Sequence, residues 1–328
     1  MTVDFFRGAV ALAPMAGAAD SAFRQISMEM GASFCVSEMI SAKALCLGDK
    51  NTSHLLRHTD IEKPFGIQLF GYDIQDFKKA ACLIERDFTP DFIDINMGCP
   101  APKITGSGAG AALMKTPDKA ADIIRAVKDS VSLPVTAKIR SGFSEKTKNA
   151  VCFSKMLEAA GVDAIIIHGR SRERMYSPPV DLQIIKDVTA AVSVPVIGNG
   201  DIRSCSDVKD MLCATSCAGV MIGRAALGNP FIFAEIKAKL SEKDYCVLEL
   251  TEQLQVLRRQ IETAAAEKGE YSALREARKH AAWYIKGFRG ASSLRYKAGQ
   301  LETMRDLDDF ISLSIKSYND SNSSSVRL

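Results

Sequence analysis

The sequence predicts an α/β protein: a (β/α)8 TIM barrel followed by an all-helical C-terminal domain. Three observations predict it. Eight short apolar runs, rich in β-branched residues, recur at regular intervals from Val10 to Gly223. Segments of helical periodicity separate them, which is the rhythm of a parallel sheet covered by helices. Beyond Leu240 the rhythm stops, and residues 247–318 hold no strand-like run and no proline. A doubly wound open sheet is the rival arrangement of the same elements.

The strand candidates are Val10–Ala13, Phe34–Glu38, Phe65–Phe70, Phe92–Asn96, Val135–Ile139, Ala164–His168, Val194–Gly198 and Gly219–Gly223. Several are apolar without alternation (AIIIH, VPVIG, GVMIG), as befits strands buried on both faces. After the third, Asp73 can cap a helix that carries Phe77, Ala80, Ala81 and Ile84 on one face. Thr116-Pro117-Asp118 opens another with proline in its first turn, continued by Ala121, Ile124 and Val127. Met156–Ala160, Leu182–Val188 and Val208–Leu212 behave similarly. The C-terminal region reads as three or four helices, over about 248–268, 272–288, 292–304 and 306–316. The polar, Ser-rich stretch Asn319–Ser325 is expected to be disordered. The expected division is a catalytic barrel at 1–240, a helical domain at 241–318 and a disordered tail at 319–328.

A length of 328 residues allows two domains, at roughly 100–200 residues each. Hydrophobic residues at 47% and charged residues at 25% exclude a disordered, collagenous or coiled-coil chain. The 42 basic against 39 acidic residues leave a charge of +3, which excludes a histone-like protein but not a local basic patch. Nine cysteines are scattered without a CxxC pair, so no disulfide framework is expected. Cys213 and Cys217 lack a second pair of ligands, so no zinc site is expected either. Free thiols fit a reducing cytoplasm. Residues 8–19 form an apolar run of signal-peptide length, but Asp4 and Pro14 argue for a first strand and loop. No stretch reaches the ~18 uninterrupted apolar residues of a membrane span, so no membrane association is expected.

In a TIM barrel the active site lies on the loops that follow the strand C-termini. Those positions are polar and glycine-rich here. Pro14, Met15, Ala16 and Gly17 follow the first run, Gln68 ends the third, and Asn96 to Pro100 follow the fourth. Lys138 and Arg140 close the fifth, and His168 and Arg170 the sixth. Asn199, Gly200 and Asp201 follow the seventh, and Gly223 and Arg224 the eighth. The last two loops suit a phosphate, because glycine admits close main-chain approach and helix N-termini favour anions. Ordinary strand-to-helix turns share that composition. No dinucleotide fingerprint is present, since Gly106-Ser107-Gly108-Ala109-Gly110 lacks the last glycine and the following acidic residue.

These motifs resemble those of a known family. They are Leu12–Gly17 (LAPMAG), Asp94–Pro100 (DINMGCP), Gly106–Met114 (GSGAGAALM) and Lys138–Phe143 (KIRSGF). With them go Ile166–Glu173 (IIHGRSRE), Val196–Ile202 (VIGNGDI) and Met221–Phe233 (MIGRAALGNPFIF). Together they resemble the tRNA-dihydrouridine synthases, flavin enzymes that reduce uridines in the tRNA D-loop. The likeness covers nearly the whole chain. Arg275–Arg295 (REARKHAAWYIKGFRGASSLR) looks most like the bacterial B-type branch.

The resemblance implies FMN as cofactor and NADPH, or NADH, as an electron donor that docks transiently and needs no motif of its own. It implies that Pro14, Met15, Ala16 and Gln68 contact the isoalloxazine ring. Lys138 would sit at the pyrimidine edge, where an ammonium stabilises the reduced ring. His168 would touch the flavin or the base. Asn199, Gly200, Asp201, Gly223 and Arg224 would hold the ribityl and phosphate groups, Arg224 through bidentate bonds. Reducing the uracil C5–C6 bond needs a hydride at C6 and a proton at C5. The flavin would supply the first and Cys99 the second, since an ordinary thiol is mostly protonated at neutral pH. Gly106, Gly108 and Gly110 suggest a mobile flap that closes on the substrate. Asn96, Arg140 and Arg170 are the expected substrate contacts. The cluster Arg170, Arg172 and Arg174 reads as a solvated loop or a phosphate-contacting edge. The resembled family usually continues there with glycine and a Trp-containing segment, where this chain has Tyr176-Ser177-Pro178-Pro179-Val180-Asp181-Leu182.

The helical region adds a separate sign of RNA. Between Tyr271 and Gln300 stand seven basic residues, Arg275, Arg278, Lys279, Lys286, Arg289, Arg295 and Lys297, against one acidic residue, Glu276. Leu274, Ala277, Ala281, Ile285 and Phe288 form an apolar helix face, which leaves the basic residues to solvent. Solvated faces normally mix signs, so a single-sign face points to RNA phosphates. Trp283 and Tyr284 read as core packing or base stacking. The expected partner is tRNA, with the target base turned out of its stack into the barrel mouth. No stable protein partner is expected. Rival readings are an FMN barrel that reduces a free pyrimidine or enone, and a non-catalytic tRNA-binding protein.

Overall fold

A computed structural model describes residues 4–49, 52, 54–287 and 291–325. Its strands are β1 Val10–Leu12, β2 Cys35–Val36, β3 Ile40–Ser41, β4 Phe65–Phe70, β5 Phe92–Met97, β6 Val135–Arg140, β7 Ala164–His168, β8 Val196–Asn199 and β9 Gly219–Ile222. All pair in parallel, in the order β1-β9-β8-β7-β6-β5-β4-β2, with β3 on β4. Main-chain bonds join the two ends of that row: Leu12 N donates to Phe34 O (3.1 Å) and Ser33 N to Val10 O (3.0 Å). The sheet therefore closes into a barrel, which decides against the open doubly wound alternative. All eight predicted runs contain a strand. The extra β3 escaped the sequence because two residues carry no periodicity.

Around the barrel lie α1 Ser21–Glu29, α2 Ala42–Cys46, α3 Ile74–Phe88, α4 Pro102–Thr105, α5 Pro117–Lys128, α6 Ala150–Ala159, α7 Leu182–Ala191, α8 Cys205–Thr215 and α9 Ile232–Leu240. Local chemistry sets their starts. The Asp73 carboxylate accepts from Gln75 N and Asp76 N, Asp20 caps α1 and Ser204 caps α8. Pro117 occupies the first turn of α5, where its missing N–H costs nothing.

Strand side chains alternate between two cores. One set, including Ile93, Ile95, Ala137, Ile139, Ile165 and Ile167, packs with the helices. The other fills the barrel with Phe6, Ala11, Phe34, Phe92, Ile166, Ile197 and Met221. Phe6, Phe34 and Phe92 meet edge to face at 5.1–5.8 Å and plug the floor. A Cβ on Gly66 would lie 2.3 Å from the Phe92 ring, so that strand position accepts only glycine. Further up the same inward columns the residues turn polar: Asp94 and Asn96 follow Phe92, and His168 follows Ile166. The barrel is closed below and chemical above.

The C-terminal helices are α10 Leu250–Lys268, α11 Glu270–Tyr284, α12 Ala291–Ala298 and α13 Met304–Ser325. Leu254, Leu257, Ile261, Leu274, Ala277, Ile285, Leu307 and Phe310 form their core, which Ala22 and Phe231 of the barrel join. Across the stretch 319–325, expected to be disordered, α13 continues through Ser325, because extending an existing helix costs far less than nucleating one. Lys268 Nζ donates to Asp20 Oδ2 (2.6 Å) and Ser21 Oγ to Glu267 Oε1 (2.9 Å), which ties α10 to the start of α1. A cavity of about 440 Å³ lies at this junction, lined by Arg24, Glu38, Arg57, His58 and Lys268 among others. Among the described residues, no helix is long and apolar enough to cross a membrane.

Candidate active site

Inward residues of three adjacent strands form one hydrogen-bonded chain. Asp94, fully buried, accepts from Thr136 Oγ1 and Gln68 Nε2, both at 2.6 Å. Gln68 Oε1 accepts from Asn96 Nδ2 (2.7 Å), and Gln68 N donates to Ser37 Oγ (2.9 Å). Burial raises the Asp94 carboxyl above its usual range despite these hydrogen bonds. Asn96 Oδ1 accepts from Gly98 N (3.2 Å) and Cys99 N (2.9 Å), so this hydrogen-bonded chain ends at the candidate acid. Asn96 thus supports the Cys99 loop, a task its sequence position did not disclose. Asp94 and Thr136 were missed, although the parity with Asn96 and Lys138 already put them on the inward face.

The Cys99 loop is also held from above. Ala111 N donates to Cys99 O (3.1 Å), and a Cβ on Gly110 would come within 2.9 Å of that same oxygen. Gly110 has φ +61°, a conformation that favours glycine. The segment of the expected flap is folded as α4 followed by a 3-10 turn at Gly110–Lys115, packed onto the Cys99 loop.

Lys138 Nζ donates to Asn199 Oδ1 (3.0 Å), and Asn199 Nδ2 donates to Met221 O (2.7 Å). Burial, helped by the nearby charge of Arg140, lowers Lys138 to about 8. Arg140, 3% exposed, donates through Nε to Gly98 O (2.7 Å) and through Nη1 to Ser171 O (3.0 Å) and Met175 O (2.9 Å). Burial lowers it to about 10. Arg170, 1% exposed, donates to Ser177 O (2.6 Å) and Asp201 Oδ2, and its Nη1 lies 3.2 Å from His168 Nε2. A guanidinium can only donate, so Nε2 accepts and the imidazole proton sits on Nδ1. Burial, then the charges of Arg140, Lys138, Arg170 and Arg224, hold His168 far below its ordinary value, and it is neutral at physiological pH.

The three loop arginines are committed to protein acceptors. Arg170 holds Asp201, Arg172 Nε donates to Pro100 O (3.2 Å), and Arg174 Nη2 to Pro178 O (2.8 Å). Arg170 is therefore bonded inside the loop, to Ser177 O, His168 and Asp201. Tyr176 was also missed. Its half-exposed ring sits under Arg224 at 4.8 Å and near Arg140 at 5.8 Å.

The polar groups at this end of the mouth fit the tail of a bound flavin, with Arg224 as a donor and Asp201 as an acceptor. Asp201 Oδ1 is buried with no hydrogen-bond partner, and Arg224 Nη2 stands 3.6 Å away. Burial opposes ionisation of Asp201, but the hydrogen bond and charge of Arg170 outweigh it and hold the carboxyl low. The ribityl hydroxyls of FMN are donors that such an oxygen lacks, and Arg224 is half-exposed and available to an anion. A Cβ on Gly223 would meet only Ala13 Cβ (3.7 Å) and Met15 Sδ (3.8 Å), so the glycine leaves open the space beside Pro14 to Ala16.

The basic residues of the helical region divide. Arg275, Lys286, Arg295 and Lys297 are exposed. Arg278 donates to Leu301 O (2.9 Å) and lies 3.7 Å from Glu302, so it braces the turn after α12. Lys279 Nζ reaches the rim, 3.5 Å from where a Cβ of Gly17 would stand. Arg289 and Phe288 lie outside the described residues. Tyr284 is 3% exposed and belongs to the core. Trp283 packs against His280, with ring centroids 5.0 Å apart.

The pattern has known counterparts. A probable tRNA-dihydrouridine synthase of Treponema pallidum (strain Nichols) is 37% identical over 309 residues, 92% of this chain and 91% of that protein. A tRNA-dihydrouridine synthase B of Pseudomonas syringae pv. tomato is 36% identical over 292 residues, 89% of this chain and 86% of that protein. Histamine dehydrogenase from Rhizobium sp. 4-9 shares the fold, with a TM-score of 0.51 at 14% identity over 74% of this chain and 46% of that one. The family described as dihydrouridine synthase (Dus) matches residues 11–319. With its rim motifs gathered at one barrel mouth, this chain belongs to the dihydrouridine synthase family.

Proposed function

We propose that the protein is a cytoplasmic tRNA-dihydrouridine synthase, which holds FMN, draws electrons from NADPH or NADH, and reduces the C5–C6 bond of a D-loop uridine. The observation that supports this most is the meeting of the tethered Cys99 loop with the cations Lys138, Arg140 and Arg224 at one barrel mouth.

When bound, FMN supplies the hydride for C6. Pro14, Met15, Ala16 and Gln68 would hold its ring, and Asn199, Gly200, Asp201, Gly223 and Arg224 its tail. Lys138 offsets negative charge beside the ring, most effectively below its value of about 8. His168, neutral and fixed by Arg170, offers an Nδ1–H donor that does not change with pH in the working range. Cys99 Sγ gives its proton to C5, and Asn96 and Arg140 keep its main chain in place. Residues 1–240 form the catalytic unit. Residues 241–318 hold the tRNA through Arg275, Lys279, Lys286, Arg289, Arg295 and Lys297.

The rival, a reductase of free pyrimidines, leaves that basic face without a task. The two are separated by offering uridine, UMP and unmodified tRNA at equal uridine concentration. Flavin reoxidation by tRNA alone supports the proposal, and equal reoxidation by UMP refutes it. Purified protein should be yellow or take up FMN. A colourless protein that FMN cannot reconstitute contradicts the flavin assignment.

A further inference from the structure

Cys99 sits between two carbonyls that are each held by a different arginine. Arg140, at the end of β6, donates to Gly98 O (2.7 Å), and Arg172, on the loop after β7, donates to Pro100 O (3.2 Å). The residue's own N–H goes to Asn96 Oδ1 (2.9 Å) and its own carbonyl takes Ala111 N (3.1 Å). Four main-chain groups around one thiol are therefore fixed by four residues on four separate segments. Arg172 Cζ also lies over the Phe143 ring at 5.3 Å, and Lys115 Nζ lies over the same ring at 4.5 Å. Lys115 ends the 3-10 turn whose Ala111 holds Cys99 O. Phe143 thus joins the two segments that pin the far side of the Cys99 loop. The Arg172 main chain is anchored separately, its N–H donating to Gly142 O (2.9 Å). Its side chain is therefore free to serve the Cys99 loop without holding its own.

We propose that Arg172 is a positioning residue for the Cys99 thiol, acting through the Pro100 carbonyl and braced by Phe143. The proposal rests on the assignment of Cys99 as the proton donor. A charge-assisted bond from a planar guanidinium fixes a carbonyl more firmly than a neutral donor does. Small displacements of a proton donor are expensive, reaching about 100-fold for about 1 Å. Arg172 needs no contact with substrate for this effect.

The test uses the full chain with Arg172→Ala, Arg172→Lys and Phe143→Ala. In flavin-free protein, iodoacetamide alkylation of each cysteine is followed by peptide mass spectrometry. Exposed Cys82, Cys152, Cys213 and Cys246 serve as internal controls. Arg172→Ala should change the Cys99 rate by about threefold or more while the controls stay put, with Phe143→Ala shifting it the same way. In FMN-loaded protein, flavin reduction by NADPH should stay within about twofold, while reoxidation by saturating tRNA slows by about 10–100-fold. Arg172→Lys, which keeps one donor, should recover part of both changes. An unchanged Cys99 rate in Arg172→Ala overturns the proposal. So does a joint rise at all five cysteines, which would mark general loosening. A defect confined to tRNA affinity and removed by lowering salt would make Arg172 an RNA contact, and also overturns it. If the wild-type protein makes no dihydrouridine, the functional reading fails, while the alkylation comparison still decides the positioning.

Discussion

Lys138 Nζ lies 3.0 Å from Asn199 Oδ1, so one ammonium is shared between β6 and β8 across the inward face of β7. Its lowered value of about 8, against an ordinary 10.5, has a sign that can be checked. Between those two values the unfolded chain keeps the proton and the folded protein has shed it. Folded stability in the flavin-free protein should therefore rise with pH across this window. Urea midpoints at about pH 8 and about pH 10 test this, and Lys138→Met should flatten the rise. Catalysis should run the other way, falling above about pH 8 as the charge is lost. Lys138→Arg should carry activity to higher pH.

Cys99→Ala separates the two halves of the reaction. Flavin reduction by NADPH should persist, because the thiol has no part in it. Reoxidation by tRNA should slow by about 100–10,000-fold, the range for removing a positioned acid. Stopped-flow absorbance of the flavin band reads both steps. Unimpaired reoxidation would remove Cys99 from its role.

Gly228 is where the barrel and the helical region touch through their backbones. It has φ +70°, and a Cβ there would stand 2.4 Å from Trp283 C. Alanine would meet both a left-handed backbone, at about 1 kcal/mol, and overpacking, at about 1–3 kcal/mol. Gly228→Ala should therefore lower unfolding stability by about 2–4 kcal/mol, measured by urea titration.

The basic face should divide by exposure. Arg295→Gln and Lys297→Gln, both exposed, should weaken tRNA binding and lessen its salt dependence, by about 0.7–0.9 in slope for each phosphate no longer neutralised. Arg278→Gln removes a bond to Leu301 O and should lower thermal stability, with little change in salt slope. Filter binding across a salt series and thermal melts distinguish the two classes.

Much of this was legible in the sequence for a physical reason. Strands buried on both faces leave unbroken apolar runs, so β5 through β9 could be read directly. Rim residues such as Lys138, His168 and Asn199 stood out because a polar group ending an apolar strand must face something. What could not be read was which partner each polar group takes. Arg170 and Arg224 look alike in sequence, yet one is buried against Asp201 and the other is half-exposed beside it. The basic run at 271–300 hid Arg278 and Lys279 among exposed neighbours, because helical periodicity gives the face and not the neighbouring element. Asp94 and Thr136 were visible by parity alone, and Arg172 only once the β7 loop was seen to meet Pro100. The helix through Ser325 was hidden by a Ser-rich composition that propensity disfavours.

The most direct measurement is the mass of an unmodified tRNA transcript after incubation with purified protein, FMN and NADPH. Nuclease digestion should locate a gain of about 2 Da, two hydrogens across one C5–C6 bond, in a D-loop fragment. The gain should vanish with Cys99→Ala. A transcript of unchanged mass, with a flavin that NADPH reduces and tRNA does not reoxidise, would contradict the assignment of this barrel mouth to uridine reduction.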